Sequence, residues 1–402
     1  MKSKTQFILI AIVIFSFLAA CTSVREKEGW EGKIEEVDGI EVIHNPAEPL
    51  HGEIALELEE DLVIGGDVED ENFNFMRISA LEVDKEGNIY VLDYRECRIQ
   101  KFNKDGDYLQ TIGRKGEGPG EFQRASRMYL SPEGRLYVNE FRKIHIFDQE
   151  GAFEKSVIPE SFLLNFSATE EGSILGQSRT YGEEERSQDI ILMDSEGKKL
   201  DTVTSFPDPS VILTKAVSGG AISMGGPPPY SPELSFYPLS EGSAVYGYSS
   251  EYKLFVANSS GEVIRRIEKE EERQPTSKKE EDEYVKDRLE RSRARGGGIQ
   301  WSEGDLKKLH KFAEYKPFFT NIVMDDEGHL FLPKPKSVLN PEEDTYFDMF
   351  NPEGFYIYKV KIHKVNPRMI RKGYIYTFGA DPDTGYYEVE RFKIKNWDQI
   401  KK

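Results

Sequence analysis

Between Ala80 and Ile112 the chain switches four times from short alternating or aliphatic runs to polar turns: ALEVD, NIYVLD, RIQKFN and DYLQTI. Each run is rich in β-branched or aromatic residues, so the period is that of a strand rather than a helix. Lys85-Glu86-Gly87 and Lys104-Asp105-Gly106 place a glycine where a tight hairpin needs positive φ. The unit reads as a four-stranded meander. Such a sheet cannot bury both faces alone and calls for neighbours of the same kind.

The neighbours are present. Arg127 to Val157 repeats the pattern as RMYLS, RLYVNE, KIHIFD and AFEKSV, with Pro132-Glu133-Gly134 and Gln149-Glu150-Gly151 as turns. Further pairs end in Gly172 and Gly197, Gly242 and Gly261, and Gly328 and Gly354, which makes five pairs of glycine turns. Regular pairing at this spacing predicts β-propeller blades. EIALELEEDLVIG (Glu53 to Gly65) reads as a lone outer strand, while Lys359 to Lys395 offers about three strands with no fourth. Joined, the two ends complete a sixth blade. The predicted fold is all-β: a six-bladed propeller of four-stranded blades over 53–396, closed by the N-terminal strand, with a short tail at 397–402.

Val83 to Asp93, followed by Arg98-Ile99-Gln100-Lys101-Phe102 and Asp105-Gly106, resembles an NHL repeat, and IGRKGEGPGEF (Ile112 to Phe122) is similar to the link between NHL blades. With a lipoprotein leader and YKPFF (Tyr315 to Phe319) ahead of a blade, the pattern resembles the six-bladed β-propeller lipoproteins of Bacteroidota. Glu96 and Cys97 depart from the usual small polar pair of the repeat. The resemblance implies fold and envelope location more than activity. Its relatives include lyases and metal-dependent lactonases or hydrolases with an axial site, so an enzyme is the alternative to a binding protein.

Lys2 and Lys4 precede an apolar run from Phe7 to Ala20 that ends in Leu18-Ala19-Ala20-Cys21. The run is short for a membrane span and has the layout of a signal peptide (1–20) cut before a lipidated Cys21. Residues 21–52 are charged and broken by Pro46 and Pro49, and read as a tether carrying one hairpin that turns at Asp38-Gly39. The expected partner is therefore a membrane, reached through lipid on Cys21, and the resemblance implies the outer one. Cys97 is the other of two cysteines, so stability must come from the core. Losing Lys2 and Lys4 moves the formal charge from −19 to −21, which argues against nucleic acid as a partner. A monomer is expected.

If the glycine turns join first to second and third to fourth strands, they share one face and the long loops share the other. The loop-rich face is then the expected site. Asp93-Tyr94-Arg95, Glu140-Phe141-Arg142 and Arg179-Thr180-Tyr181 follow the second strands of three blades, and Lys334 and Lys336 follow that of the fifth. Arginine forks and tyrosine rings suit carboxylates, sulfated sugars or peptides, so the expected partner is a small ligand, a glycan, a peptide or an envelope protein. Inter-blade salt bridges are the competing reading. Glu268 to Phe318 is a charged insertion expected to be helical, with capping-box spacing at Ser277/Glu280 and Ser302/Asp305.

Other motifs yield no cofactor. The glycines from Gly113 to Gly120 lack the Lys-Ser/Thr of a phosphate loop, and Asp381-Pro382-Asp383-Thr384-Gly385 lacks the downstream ligands of a calcium loop and fits a hairpin turn. His145 and His329 read as core or surface histidines, and Asp84 and Asp325 precede tight turns on the face away from the expected mouth.

Overall fold

The computed structural model describes residues 29–400 except 68, 141, 182–185, 218–219, 295–300 and 341–342. The leader, Cys21 and the first part of the expected tether lie outside them.

Each blade runs outward from the axis, and its turns explain why. Asp148 ends one strand; its Oδ1 accepts from the N–H groups of Glu150 and Ala152 at 3.1 and 2.7 Å. Gly151 closes the turn at φ +83°, and a Cβ there would lie 2.9 Å from Ile112 of the neighbouring blade, so both backbone and packing require glycine. The same side-chain acceptor precedes the glycine at Asn103, Asp194, Asn258, Asp325 and Asn351. This is the polar residue that closes each strand in the sequence pattern.

Six sheets result. Blade 1 starts at Ile78–Val83 and ends at Tyr108–Ile112; blade 2 spans Ala125–Leu130 to Phe153–Val157, and blade 3 spans Leu163–Ala168 to Lys199–Pro207. Blade 4 begins with Leu234–Pro238 and blade 5 with Val323–Met324, their fourth strands being Val263–Lys269 and Tyr356–Ile362. In blade 6, Met369–Arg371, Tyr374–Ala380 and Tyr387–Ile394 pair with Leu58–Gly65, the predicted closure. The core lies between blades: Phe102, Phe122, Phe147, Phe331, Phe347 and Phe350 are fully buried there.

The N-terminal chain does more than close the ring. Asp38 and Gly39, both at positive φ, join Lys33–Val37 to Ile40–Asn45. The second of these strands pairs in parallel with Val263–Lys269, giving blade 4 six strands. Glu53–Ala55 then pairs in parallel with blade 5 before Leu58–Gly65 reaches blade 6. The expectation of a tether over 21–52 therefore fails for residues 29–52. The single strand expected over Glu53 to Gly65 is divided at Leu56, whose side chain is buried between two sheets. Asn45 fastens the belt: its Oδ1 accepts from Tyr356 N at 2.7 Å and its Nδ2 donates to Gly354 O at 2.9 Å and Glu268 O at 3.1 Å. The tail expected from 397 is likewise packed, with Ile400 buried.

The insertion forms α1 (Lys278–Ala294) and α2 (Glu303–Leu309). Ser302 and Asp305 make the reciprocal capping box. Against α2 lies a hairpin that the sequence pattern left as a link, Val211–Val217 with Gly220–Gly226, held by Lys215 to Asp305 at 2.7 Å. No helix among the described residues is long and apolar enough to cross a membrane.

Candidate binding site

The second strand of blade 1 ends at Asp93, and that of blade 2 at Glu140. Both carboxylates turn back onto the segment entering their own blade. Asp93 is fully buried and accepts from the N–H groups of Met76, Arg77 and Arg95 at 3.0 to 3.2 Å. Glu140 accepts from Gln123 N at 2.5 Å and Arg124 N at 2.9 Å, and faces His145 Nε2 at 3.1 Å. Burial alone would raise the Glu140 pKa, but these partners outweigh it and hold the carboxyl below its ordinary value. Burial also pushes the His145 pKa down, against the pull of Glu140. His145 is wedged between Glu140 and Ser156, away from solvent.

With the acids bound to main chain, the neighbouring side chains project. Tyr94, Glu140 and Arg142 line a groove of about 810 Å³ that spans blades 1 to 3 on the loop-rich face, together with Arg124, Lys143, Phe162 and Ile158. The loop around Gly116 and Glu117 forms one wall; Glu121 shapes it by accepting from Arg114 Nε at 2.7 Å and Gly118 N at 2.9 Å. Tyr94 lies under the Arg77 guanidinium, 5.3 Å from its ring centre. The side chains of Arg124 and Lys143 form no ion pair among the described residues. Ile158 is 70% exposed. The groove thus offers cations beside an apolar floor.

The remaining expected residues do not converge there. Arg95 is exposed and does not line the groove. Arg179 is turned to Asp208 at 3.7 Å and Glu233 at 3.4 Å, an inter-blade contact. Tyr181 ends its strand, and its side chain lies outside what is described. Lys336 donates to the Glu343 carbonyl at 2.7 Å. Lys334 reaches Glu271 at 2.6 Å and belongs to a buried network. There Asp348 accepts from Tyr252 Oη at 2.5 Å, Tyr356 Oη at 2.7 Å and Lys269 Nζ at 3.2 Å. Burial raises the Asp348 pKa, but Lys334, Lys269 and the two hydroxyls overcome it and hold the carboxyl below its ordinary range. The expected single mouth is corrected to a groove on blades 1 to 3 and a set of inter-blade fasteners on blades 3 to 5. The difference is one of partners: a cation after a second strand is fastened wherever a neighbouring link supplies an acid.

Sequence reasoning missed Arg124, Lys143, Ile158 and Phe162. Their signal was position, since each flanks a strand end that borders a named residue. Among the described residues no group of three or more His, Cys, Asp and Glu side chains could hold a metal ion. Asp381 accepts from Thr384 N and Asp383 N, so that motif is a hairpin turn.

Residues 69–220 match the model of the family DUF5128, described as a 6-bladed beta-propeller. The chain is a six-bladed β-propeller. An exported protein of Bacteroides fragilis is similar in structure to the propeller at 12% identity and a TM-score of 0.50, covering 88% of this chain and 99% of its own. A member of the duf4221 family from Bacteroides vulgatus has 12% identity and a TM-score of 0.44, over 85% of this chain and 98% of that one. Virginiamycin B lyase from Staphylococcus aureus has 9% identity and a TM-score of 0.38, over 84% and 99%. At these identities the likeness is one of fold. No curated protein matches.

Proposed function

We propose that the propeller is an exported binding protein, anchored to the outer membrane by lipid on Cys21, that holds an anionic glycan or peptide in the groove of blades 1 to 3. The supporting observation is the groove itself: Arg124, Arg142 and Lys143 stand beside Tyr94, Phe162 and Ile158 in one space of about 810 Å³. Guanidinium forks match carboxylates and sulfates, and the apolar floor matches a sugar face or a peptide side chain. A binding role rather than a catalytic one is favoured because Glu140 is engaged by main-chain N–H groups and His145 is sealed beneath it. In a protein of formal charge −19, three cations at one mouth give a local field that draws anions and that salt weakens.

The test is an array of acidic glycans and peptides probed with the parent chain and with the double variant Arg124→Ala/Arg142→Ala. The expected result is at least tenfold weaker capture with an unchanged melting temperature. Equal capture by the double variant refutes the groove. For the anchor, Cys21→Ala should move the protein from the membrane to the soluble fraction; unchanged retention refutes lipidation.

A further inference from the structure

The bore of the ring contains a second space that the loop-rich face does not explain. A cavity of about 670 Å³ follows the axis and is lined by the innermost segments of all six blades, from Asn321 and Arg368 down to the turn residues Pro132, Ser240 and Gly328. The loop-rich face is the expected site, but the axis is also open at the tight-turn side, between the hairpins.

The polar groups on this wall are poorly matched to each other. Arg127, on the first strand of blade 2, has no ion pair or side-chain hydrogen bond among the described residues, and its charged neighbour is another cation, Arg179. Arg371, at the end of the first strand of blade 6, faces Glu82 and the Tyr237 hydroxyl, yet its Nε is buried without a hydrogen-bond partner. Glu82, half-buried on the first strand of blade 1, accepts no side-chain hydrogen bond among the described residues. Asp325, by contrast, is fully engaged, accepting from His329 N at 2.8 Å and meeting the His329 ring at 2.8 Å. A buried, unspent Arg371 donor and, on the same wall, the exposed Arg127 guanidinium with no ion pair among the described residues are what an anion site presents.

We propose that the axial cavity is a separate binding site for a small oxyanion, a carboxylate or a phosphate, held by the guanidinium groups of Arg371 and Arg127 with the Glu82 carboxylic acid as an additional donor. Burial pushes the Glu82 carboxyl up to about 8, against the opposing pull of Arg371. The phenols of Tyr129 and Tyr237 also face it, and the same wall carries the carboxylates of Asp325, Asp326 and Glu327 and the guanidinium of Arg368. At neutral pH Glu82 is mostly uncharged and can donate to an anion. Above pH 8 it ionises beside that anion and repels it, so affinity falls as pH rises.

The experiment is calorimetric titration of the full chain with succinate and, separately, inorganic phosphate at pH 6.5 and 9. Saturable binding of at least one probe is expected, weaker at pH 9; which probe binds assigns the carboxylate or the phosphate. Arg371→Met and Arg127→Met should each weaken it tenfold or more, and Glu82→Gln should keep binding at pH 6.5 and abolish the loss at pH 9. If Arg371→Met melts early, Arg371→Lys, which keeps the charge but not the fork, reads the same contact. The groove change Arg124→Ala/Arg142→Ala should leave this titration untouched, which separates the two sites. Saturation by neither probe, or binding that survives both arginine substitutions, overturns the proposal.

Discussion

The outer edges of blades 4, 5 and 6 are each paired to a length of N-terminal chain, whereas in blades 1, 2 and 3 the sheet ends at Tyr108–Ile112, Phe153–Val157 and Lys199–Pro207. The belted half unites segments remote in sequence, and its contacts are correspondingly specific: the Asn45 side chain bridges blades 4 and 5, and Asp348 gathers two lysines and two tyrosines. The unbelted half is local and repetitive. Its strands are fixed by side chains a few residues away, and its free edges carry charges such as Glu154, Lys155 and Asp201 that discourage pairing with another sheet. The difference teaches where binding can sit. Cations on the belted side are consumed in holding distant segments together, while Arg124 and Lys143 of the groove on blades 1 to 3 form no ion pair among the described residues.

Cutting the belt is the strongest way to break this comparison. Removing Leu58–Gly65 leaves blade 6 with three strands and an open ring, so no cooperative melting of a folded ring is expected. Removing residues 29–45 takes away Trp30, Val42 and Ile43, all buried, at about 1.5 to 3 kcal/mol for each large side chain. The melting temperature should then drop by roughly 10 °C or more. Thermal denaturation of both deletions decides the matter: if loss of residues 29–45 leaves melting unchanged, the hairpin is ornament and the two halves are equivalent.

Single carboxylates sharpen the contrast. Asp348→Ala strands two lysines and two phenols, a loss of about 3 to 5 kcal/mol for breaking a buried ionic set. Asp93→Ala in the unbelted half frees main-chain N–H groups and should cost less, about 1 to 3 kcal/mol. Chemical denaturation of both variants gives the ranking, and the reverse order would refute it. The acid side adds a separate check. Because the Asp348 carboxyl is held below its ordinary value of 3.8, its contribution is complete above that pH and is lost as pH falls through the depressed folded value. Asp348→Asn should therefore show a flatter loss of stability in acid than the parent.

What the sequence disclosed follows the same division. Paired glycines, the polar residue before each turn and the lone strand at Glu53 to Gly65 revealed six blades and their closure, because each depends on neighbours within a few residues or on a missing fourth strand. The hairpin at Asp38-Gly39 was visible as an element, but its parallel pairing of Glu41 with Arg265 was not, since strand period carries no information about a partner so far along the chain. The hairpin Val211–Val217 with Gly220–Gly226 escaped because it is a two-stranded sheet outside the ring, with no blade to complete. Equivalent positions after second strands were found correctly, yet equivalence of position did not give equivalence of partner. Glu82, Arg127 and Arg371 went unnoticed because one polar residue in a first strand looks like ordinary alternation until six strands are placed around an axis.

The smallest effects test that last point most directly. Arg95 and Lys334 both lie just after second strands, in blades 1 and 5, and by position alone are interchangeable. Lys334 donates to Glu271 at 2.6 Å, lies 3.5 Å from Asp348 and sits over the Tyr252 ring at 5.1 Å. Arg95 is exposed, and its side chain has no ion pair among the described residues. Lys334→Ala should leave Glu271 and Asp348 with Lys269 as their remaining lysine partner and cost about 1 to 3 kcal/mol, a drop of several degrees. Arg95→Ala should stay within about 0.5 kcal/mol of the parent, under roughly 2 °C, as surface substitutions do. High salt should leave the Lys334 difference standing, because a buried pair is screened far less than an exposed one. If the two variants melt together, the belted half is not the more tightly fastened, and the absence of ion pairs at Arg124 and Lys143 among the described residues needs another cause.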